Sequence, residues 1–269
     1  MQEEVAGGIA DGHRPWPAPR SPWLIRQLWE NTIFLHWPLA AETVKAALPG
    51  PLQPYLDVHQ GSAWIGVVGF KGSGTRLNNL PEIPILSEAV ELNVRTYITI
   101  DDKPGVYFFS LDTFNLLACA GARLFFDLPY FPALTDWETT GDKVLLKSAR
   151  FSETPARFEA LYRPLGPAKA ATLDEFSAFL LERYCLYGVR SSGGLFRVEI
   201  HHRPWRVSKA EVELRENTMT APLGLTLSES APVMHVSEIQ EAFIWGTQDL
   251  ARPGRRPAEA APEQPAAPR

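Results

Sequence analysis

Glu91-Leu92-Asn93-Val94-Arg95-Thr96-Tyr97-Ile98-Thr99-Ile100 alternates its side chains with a period of two. That period belongs to a strand with two unlike faces: Glu91, Asn93, Arg95 and Tyr97 point one way, and Leu92, Val94, Thr96 and Ile98 the other. Asp101-Asp102-Lys103-Pro104-Gly105 then has the residue types of a turn. Val106-Tyr107-Phe108-Phe109-Ser110-Leu111 is a second extended run, so the segment reads as a β-hairpin. Before it, Ala63–Phe70 reads as a buried strand whose glycines suggest a bend or a close backbone approach. Trp23–Trp37 opens with a stretch that is either helical or extended, and Glu30–Trp37 is a strand ending at Pro38. Ala40–Leu48 is a short helix stopped by Pro49-Gly50. After the hairpin, a helix over Asn115–Phe126 ends before Pro129. Strands are expected at 143–151, 157–163, 195–201, 233–236 and 241–245. A helix at 172–183 has Thr172 as its cap and Glu175 completing a capping box. Strands dominate and no βαβ repeat is present, which predicts an α+β domain around a mostly antiparallel sheet or barrel.

The 269 residues are 45% hydrophobic and 21% charged, which suits one folded domain over about 22–250. Residues 1–21 hold Pro15, Pro17 and Pro19 and are expected as a disordered arm. Residues 251–269, built from Ala, Pro and charge, are expected as a disordered tail. The net charge of −5 argues against a nucleic-acid partner, since neutralising phosphates takes an excess of Lys and Arg. No apolar run is long enough for a transmembrane helix, so no membrane partner is expected. The absence of a signal-like apolar core, with only Cys119 and Cys185 as thiols, suits the cytoplasm. A homo-oligomer is compatible with the sequence.

Glu91, Asn93 and Arg95 share a face, which is either a solvated sheet surface or the polar lining of a cavity. In the second case Glu91 and Arg95 pair to fix a substrate carboxylate or carbonyl. Arg123 lies one turn before Asp127, so it either pairs with it or reaches inward as a carboxylate clamp. His201 and His202 are adjacent on a strand and face opposite ways, so they do not share a metal; one of them is a candidate proton-transfer group facing the cavity. No zinc spacing, phosphate loop, dinucleotide turn or nucleophile elbow occurs, so neither metal nor cofactor is expected. Gly69-Phe70-Lys71-Gly72-Ser73-Gly74 reads as a hairpin loop or lid. Cys185, among aromatic residues, reads as a buried inert thiol.

Five stretches in order carry a resemblance: Glu91–Tyr97, Pro104–Asp112, Ala122–Phe125 with Leu128-Pro129-Tyr130, Glu182–Tyr187, and His201–Trp205. Together they resemble the YqjF-like family, bacterial proteins classed as a domain of unknown function, over about Trp23 to Trp245. That family resembles the acetoacetate decarboxylase superfamily, which implies a bent antiparallel β-barrel or cone with peripheral helices. True decarboxylases of this kind carry a segment resembling Gly-Arg-Glu-x-x-Gly-x-Pro-Lys-Lys, whose first lysine forms a Schiff base. Laid on this chain, Arg123 matches the arginine, Pro129 the proline, and Tyr130 and Phe131 the two lysines. Glu91 is similar to a cavity glutamate of those enzymes. The resemblance therefore implies a kept pocket without its covalent nucleophile. Two functions follow. One is non-covalent acid–base chemistry on a small carbonyl or carboxylate metabolite, with Glu91, Tyr130 and Arg123 catalytic, and Asn93, Arg95, His201 and His202 binding substrate. The other is a non-catalytic module that binds or senses a hydrophobic acid. A cavity carboxylate standing apart from any arginine partner favours the first.

Overall fold

A computed structural model describes residues 8–78, 80–83 and 88–250, apart from the side chain of Phe125. The expected tail at 251–269 and the first seven residues of the expected arm lie outside the described residues. Eleven strands form: β1 (Ile25–Leu39), β2 (Ala63–Leu77), β3 (Ala89–Ile100), β4 (Lys103–Thr113), β5 (Tyr130–Thr140), β6 (Lys143–Arg150), β7 (Arg157–Ala170), β8 (Cys185–Val189), β9 (Leu195–His202), β10 (Arg206–Asn217) and β11 (Val233–Asp249). They make one sheet in the order β1-β2-β3-β4-β5-β6-β7-β10-β11-β9-β8, with additional pairings β1–β11 and β4–β8. Among the described residues, three α-helices join the sheet: α1 (Ala41–Ala47), α2 (Leu116–Phe126) and α3 (Glu175–Leu181).

The α+β class holds, but the expected antiparallel barrel or cone is corrected. The sheet is mixed: β4 runs parallel to both β5 and β8. It also branches. Val106 and Tyr107 of β4 pair with β8, whereas Leu111 to Thr113 pair with β5. Strand β11, 17 residues long, likewise pairs with β1, β9 and β10 along its length. Every stretch of a buried strand needs a partner for its backbone groups, and these long strands find different partners at their two ends. The strands therefore do not follow one another round a single antiparallel barrel.

Most of the sequence-level elements stand, with informative exceptions. The Trp23–Trp37 stretch is extended, and the two short strands expected at 233–245 are one strand. Gly69–Gly74, expected as a loop or lid, lies inside β2. Helix α3 is capped by Asp174 rather than Thr172: its carboxylate accepts from the Ser177 N–H at 2.8 Å, which satisfies an orphan donor of the first turn. Thr172 instead lies in the 3₁₀ turn Ala171–Leu173. Asn115 caps α2 by accepting from the Ala118 N–H, and Asp127 closes the helix in the left-handed region with φ 50°. Strands β5, β8 and β10 were not expected.

Strands β1 and β2 carry apolar residues on both faces because each face meets a separate core, whereas β3 turns Leu92 and Val94 to one core and Glu91, Asn93 and Arg95 the other way. Ile33, Leu35, Val67, Leu92 and Val94 pack into one cluster, and Phe34, Val68, Phe196 and Trp205 into the other. Residues 8–21 correct the expected disordered arm. Ile9 is buried against Phe243 and Trp245. Arg14 makes a buried ion pair with Glu199 at 2.7 Å, and Trp16 Nε1 donates to the same carboxylate at 2.8 Å. The prolines do exclude a helix or long strand here, and the side chains of Arg14 and Trp16 fasten the segment to β9.

Candidate functional site

The register of the hairpin decides which residues meet. Phe70, Val68 and Gly66 of β2 lie opposite Glu91, Asn93 and Arg95 of β3, and Thr113, Leu111 and Phe108 of β4 lie on their other side. Directly opposed residues share a face. All of these except Gly66 line one cavity of about 420 Å³. Strand β1 adds Gln27 and Trp29 and then Thr32 and Phe34, a change of parity that the alternation rule forbids for a regular strand. The cause is a one-residue bulge between Glu30 and Ile33, with Asn31 at φ 46°. Helix α2 turns Leu117, Ala118, Gly121 and Ala122 onto the cavity, and β8, β9 and β11 supply Leu186, Val198, Ile200 and Ile244.

One end is acidic. The Tyr130 hydroxyl donates to Glu91 Oε2 at 2.7 Å, and Asn93 Nδ2 donates to Oε1 at 3.3 Å. Burial pushes the Glu91 carboxyl up to about 7, against the opposing pull of these two hydrogen bonds. Burial and the Glu91 carboxylate hold the Tyr130 phenol well above its ordinary range, so it keeps its proton. Asp112 stands behind this pair in a buried bidentate contact with Arg150, at 2.6 and 2.8 Å. The Arg150 guanidinium also lies 4.3 Å over the Phe131 ring. Since Leu111 and Asp112 pair with Tyr130 and Phe131, this contact fixes the start of β5 and hence the Tyr130 ring.

The other end is cationic. Arg95 has its guanidinium 5.5 Å from the Phe34 ring centroid. Its Nε is buried without a hydrogen-bond partner, and no carboxylate among the described residues lies within ion-pair distance of it. Its stem is held against β2: a Cβ at Gly66 would meet Arg95 Cγ at 3.3 Å. Much of the remaining wall is aromatic. Trp29 and Trp205 stack at 5.9 Å with a 12° interplanar angle, and Phe34 meets Trp205 edge-on at 4.9 Å.

The other expected residues are placed less uniformly. His202 lines the cavity, but its Nδ1 lies 2.7 Å from the Arg203 carbonyl and its Nε2 3.3 Å from that of Arg183. Burial lowers it to about 4, so it stays neutral and orients loops rather than moving protons near pH 7. His201 faces away, as the strand period requires, with Nε2 3.2 Å from the Ile9 carbonyl. Burial lowers it to about 4 as well. Arg123 corrects its expected roles. It is exposed on the outside of α2, donates from Nε to the Tyr130 carbonyl at 2.6 Å, and is not among the cavity-lining residues. Asp127 pairs with Arg190 instead. Cys185 is buried, with its thiol pushed up to about 12 by burial.

Sequence reasoning missed Gln27, Trp29, Thr32, Arg183 and Trp205 as lining residues. Gln27 and Trp29 carried a signal, being spaced by two on one strand. Thr32 did not, because the bulge at Asn31 reverses parity. Among the described residues, no lysine lines the cavity. Among the described residues, no cluster of three or more His, Cys, Asp or Glu is placed to hold a metal ion, and no helix is long and apolar enough to cross a membrane.

This arrangement suits proton transfer. The cavity contains a carboxyl group pushed up to about 7, a phenol that retains its proton, and a guanidinium, Arg95, that makes no ion pair among the described residues.

Comparison with known proteins agrees with this architecture. Residues 26–241 match the family model DUF2071, described as an uncharacterized conserved protein. The chain is 40% identical over 227 residues to the uncharacterized protein YqjF of Bacillus subtilis (strain 168), covering 84% of this chain and 93% of that one. Among solved structures, acetoacetate decarboxylase from Legionella pneumophila superposes with a TM-score of 0.59 at 13% identity, covering 88% of this chain and 93% of that chain. An acetoacetate decarboxylase-like enzyme from Sphingomonas wittichii RW1 gives 0.59 at 13% identity, covering 89% and 98%. The chain therefore belongs to the DUF2071 family of YqjF-like proteins, and its fold resembles that of these acetoacetate decarboxylase structures.

Proposed function

We propose that the chain is an enzyme using non-covalent acid–base chemistry on a small carbonyl-bearing carboxylic acid. One observation carries this reading: Glu91 lies in the cavity wall, hydrogen-bonded to Tyr130 and in no ion pair with an arginine among the described residues, with burial pushing its carboxyl up to about 7 against the weaker pull of Arg95. A carboxylate kept only for binding or for structure is normally ion-paired and held ionised. One poised near neutrality exchanges its proton at little cost. In the forward step Glu91 takes a proton from the carbon beside the substrate carbonyl. The electron pair moves onto the carbonyl oxygen, and the Tyr130 hydroxyl turns from Glu91, whose carboxyl is now protonated, to donate to the developing oxyanion. Return of the proton to the same or a neighbouring atom completes the cycle, so isomerase and lyase outcomes share this first step. Arg95 is the carboxylate clamp, since Arg123 is not among the cavity-lining residues.

The fold-level likeness to acetoacetate decarboxylases supplies an alternative route through an imine. Tyr130 and Phe131 occupy the positions matched to that motif's lysines, and neither side chain forms an imine. The test is borohydride treatment in the presence of oxo acids, followed by intact-mass measurement. No adduct is expected while turnover persists, and Glu91→Gln is expected to abolish turnover without unfolding the chain. A lysine-linked adduct refutes the non-covalent reading, and an active Glu91→Gln variant removes Glu91 from it.

A further inference from the structure

The spacing of the polar groups says more about the ligand than the fold does. Glu91 and Arg95 are four residues apart on a regular strand, which separates their Cα atoms by about 13 Å. Asn93 stands between them on the same face and points its amide at Glu91. The two charged groups do not lean together into an ion pair, since Arg95 is held over Phe34 and Glu91 by Tyr130. In a 2- or 3-oxo acid the carboxylate and carbonyl carbons are one or two C–C bonds apart, no more than about 2.5 Å. Such a molecule reaches one end of the cavity and leaves the other unsatisfied.

Volume points the same way. About 420 Å³ is the share of roughly fourteen waters, about twice the seven non-hydrogen atoms of a four-carbon oxo acid. Phe70 flanks Glu91, Phe34 and Phe108 flank Arg95, and Val68 and Leu111 flank Asn93 between them, so the cavity offers ring faces, edges and aliphatic surface but few polar partners.

We infer that the cavity takes an amphipathic acid of about ten to fourteen non-hydrogen atoms, in which an aryl or long apolar spacer separates a carboxylate bound by Arg95 from a carbonyl presented to Glu91 and Tyr130. The placement of the carbonyl rests on the function proposed above; the size, the apolar spacer and the carboxylate anchor do not. Arg95 is then a specificity-determining residue. It reads the acid by a charge-assisted contact that a neutral analogue cannot make. Its buried Nε, unpartnered within the chain, is a donor that such a carboxylate satisfies.

The test is binding by the full chain, measured by calorimetry and thermal shift with three probes: 3-(4-acetylphenyl)propanoate, its carboxamide, and 2-oxobutanoate. The aryl-spaced acid is expected to bind at least tenfold more tightly than the amide, and 2-oxobutanoate at equal concentration is expected to give no shift. Arg95→Met is expected to erase the acid-over-amide preference while leaving amide binding in place; Arg95→Lys is expected to retain part of it. Equal binding of 2-oxobutanoate, failure of the aryl acid to bind, or an acid preference that survives Arg95→Met overturns the inference. If Arg95→Met does not fold, the acid-to-amide ratio in the unaltered chain and in Arg95→Lys decides it. Proton exchange on the bound ligand is scored separately: tight binding without exchange sinks the enzymatic reading and leaves the ligand class standing.

Discussion

Replacing Glu91 with Gln isolates the energetic cost of the cavity carboxylate. In the unfolded chain this group titrates at its ordinary 4.5, and in the folded chain at about 7. Between these values the folded chain holds a proton that the unfolded chain has released. Rising pH therefore drains native stability through this window, and the loss is complete above pH 7. The interval, at about 1.36 kcal/mol per pH unit, amounts to roughly 3 kcal/mol, an upper bound because Glu91 keeps some exposure to the cavity. Gln is neutral throughout and can still accept from Tyr130. His201 and His202, both lowered to about 4, act in the opposite sense and weaken the fold as pH falls below 6.5. They are present in both proteins and cancel in the difference. Urea denaturation of the two proteins from pH 4.5 to 8.5 is the assay. Glu91→Gln is expected to gain on the parent as pH rises from 4.5 to 7, by up to about 3 kcal/mol, with a plateau beyond. Stability curves that run parallel across the window would refute the raised carboxyl, and a variant that fails to fold would make Glu91 a structural partner of Tyr130.

Three further outcomes follow from particular contacts. Tyr130→Phe removes a hydrogen bond to the ionised Glu91, a contact type worth about 1.5–3 kcal/mol, so the pH midpoint of turnover is expected to rise by about one unit or more; an unchanged midpoint contradicts the pairing. Arg14→Ala leaves Glu199 buried with Arg197 and Trp16 still in contact, so a loss of about 2–4 kcal/mol and faster proteolysis of the N-terminal segment are expected in denaturation and limited digestion; a loss below 1 kcal/mol would mean the segment is not fastened by this pair. Asn31→Val puts a β-branched residue at φ 46° and is expected to cost about 1–3 kcal/mol, whereas Asn31→Gly is tolerated; equal stability of the two variants, read by thermal melts, would argue against the bulge.

The hairpin was the most legible part of the fold because its alternation and its turn residues agree. The face shared by Glu91, Asn93 and Arg95 was legible for the same reason, although alternation alone did not say whether it met water or a cavity. Whole strands escaped where the signal was weak or misleading. Strand β5 contains Pro132 and a polar outer half, β8 has five residues, and β10 is rich in Glu and Arg, which favour helix locally. The parallel contacts of β4 were invisible, since no local pattern marks which strand a given stretch will meet. Tyr130 entered through resemblance rather than periodicity, and its partner Glu91 through both. Arg123 was misassigned because helical spacing fixes which side chains are neighbours but not which face of α2 turns inward. The Pro-rich start of the chain was read as unstructured because prolines exclude helix and ladder, yet Arg14 and Trp16 carry partners for a buried carboxylate.

The most direct test of the acid–base reading is hydrogen–deuterium exchange at the carbon beside the carbonyl of 3-(4-acetylphenyl)propanoate, followed by proton NMR in D₂O as pH is varied. The unaltered chain is expected to accelerate loss of the acetyl methyl signal, with activity rising through a midpoint near 7 as Glu91 ionises, and Glu91→Gln to return exchange to the uncatalysed rate while still binding the acid. Exchange at the uncatalysed rate in both proteins despite saturation with ligand, or equal acceleration by both, would contradict it.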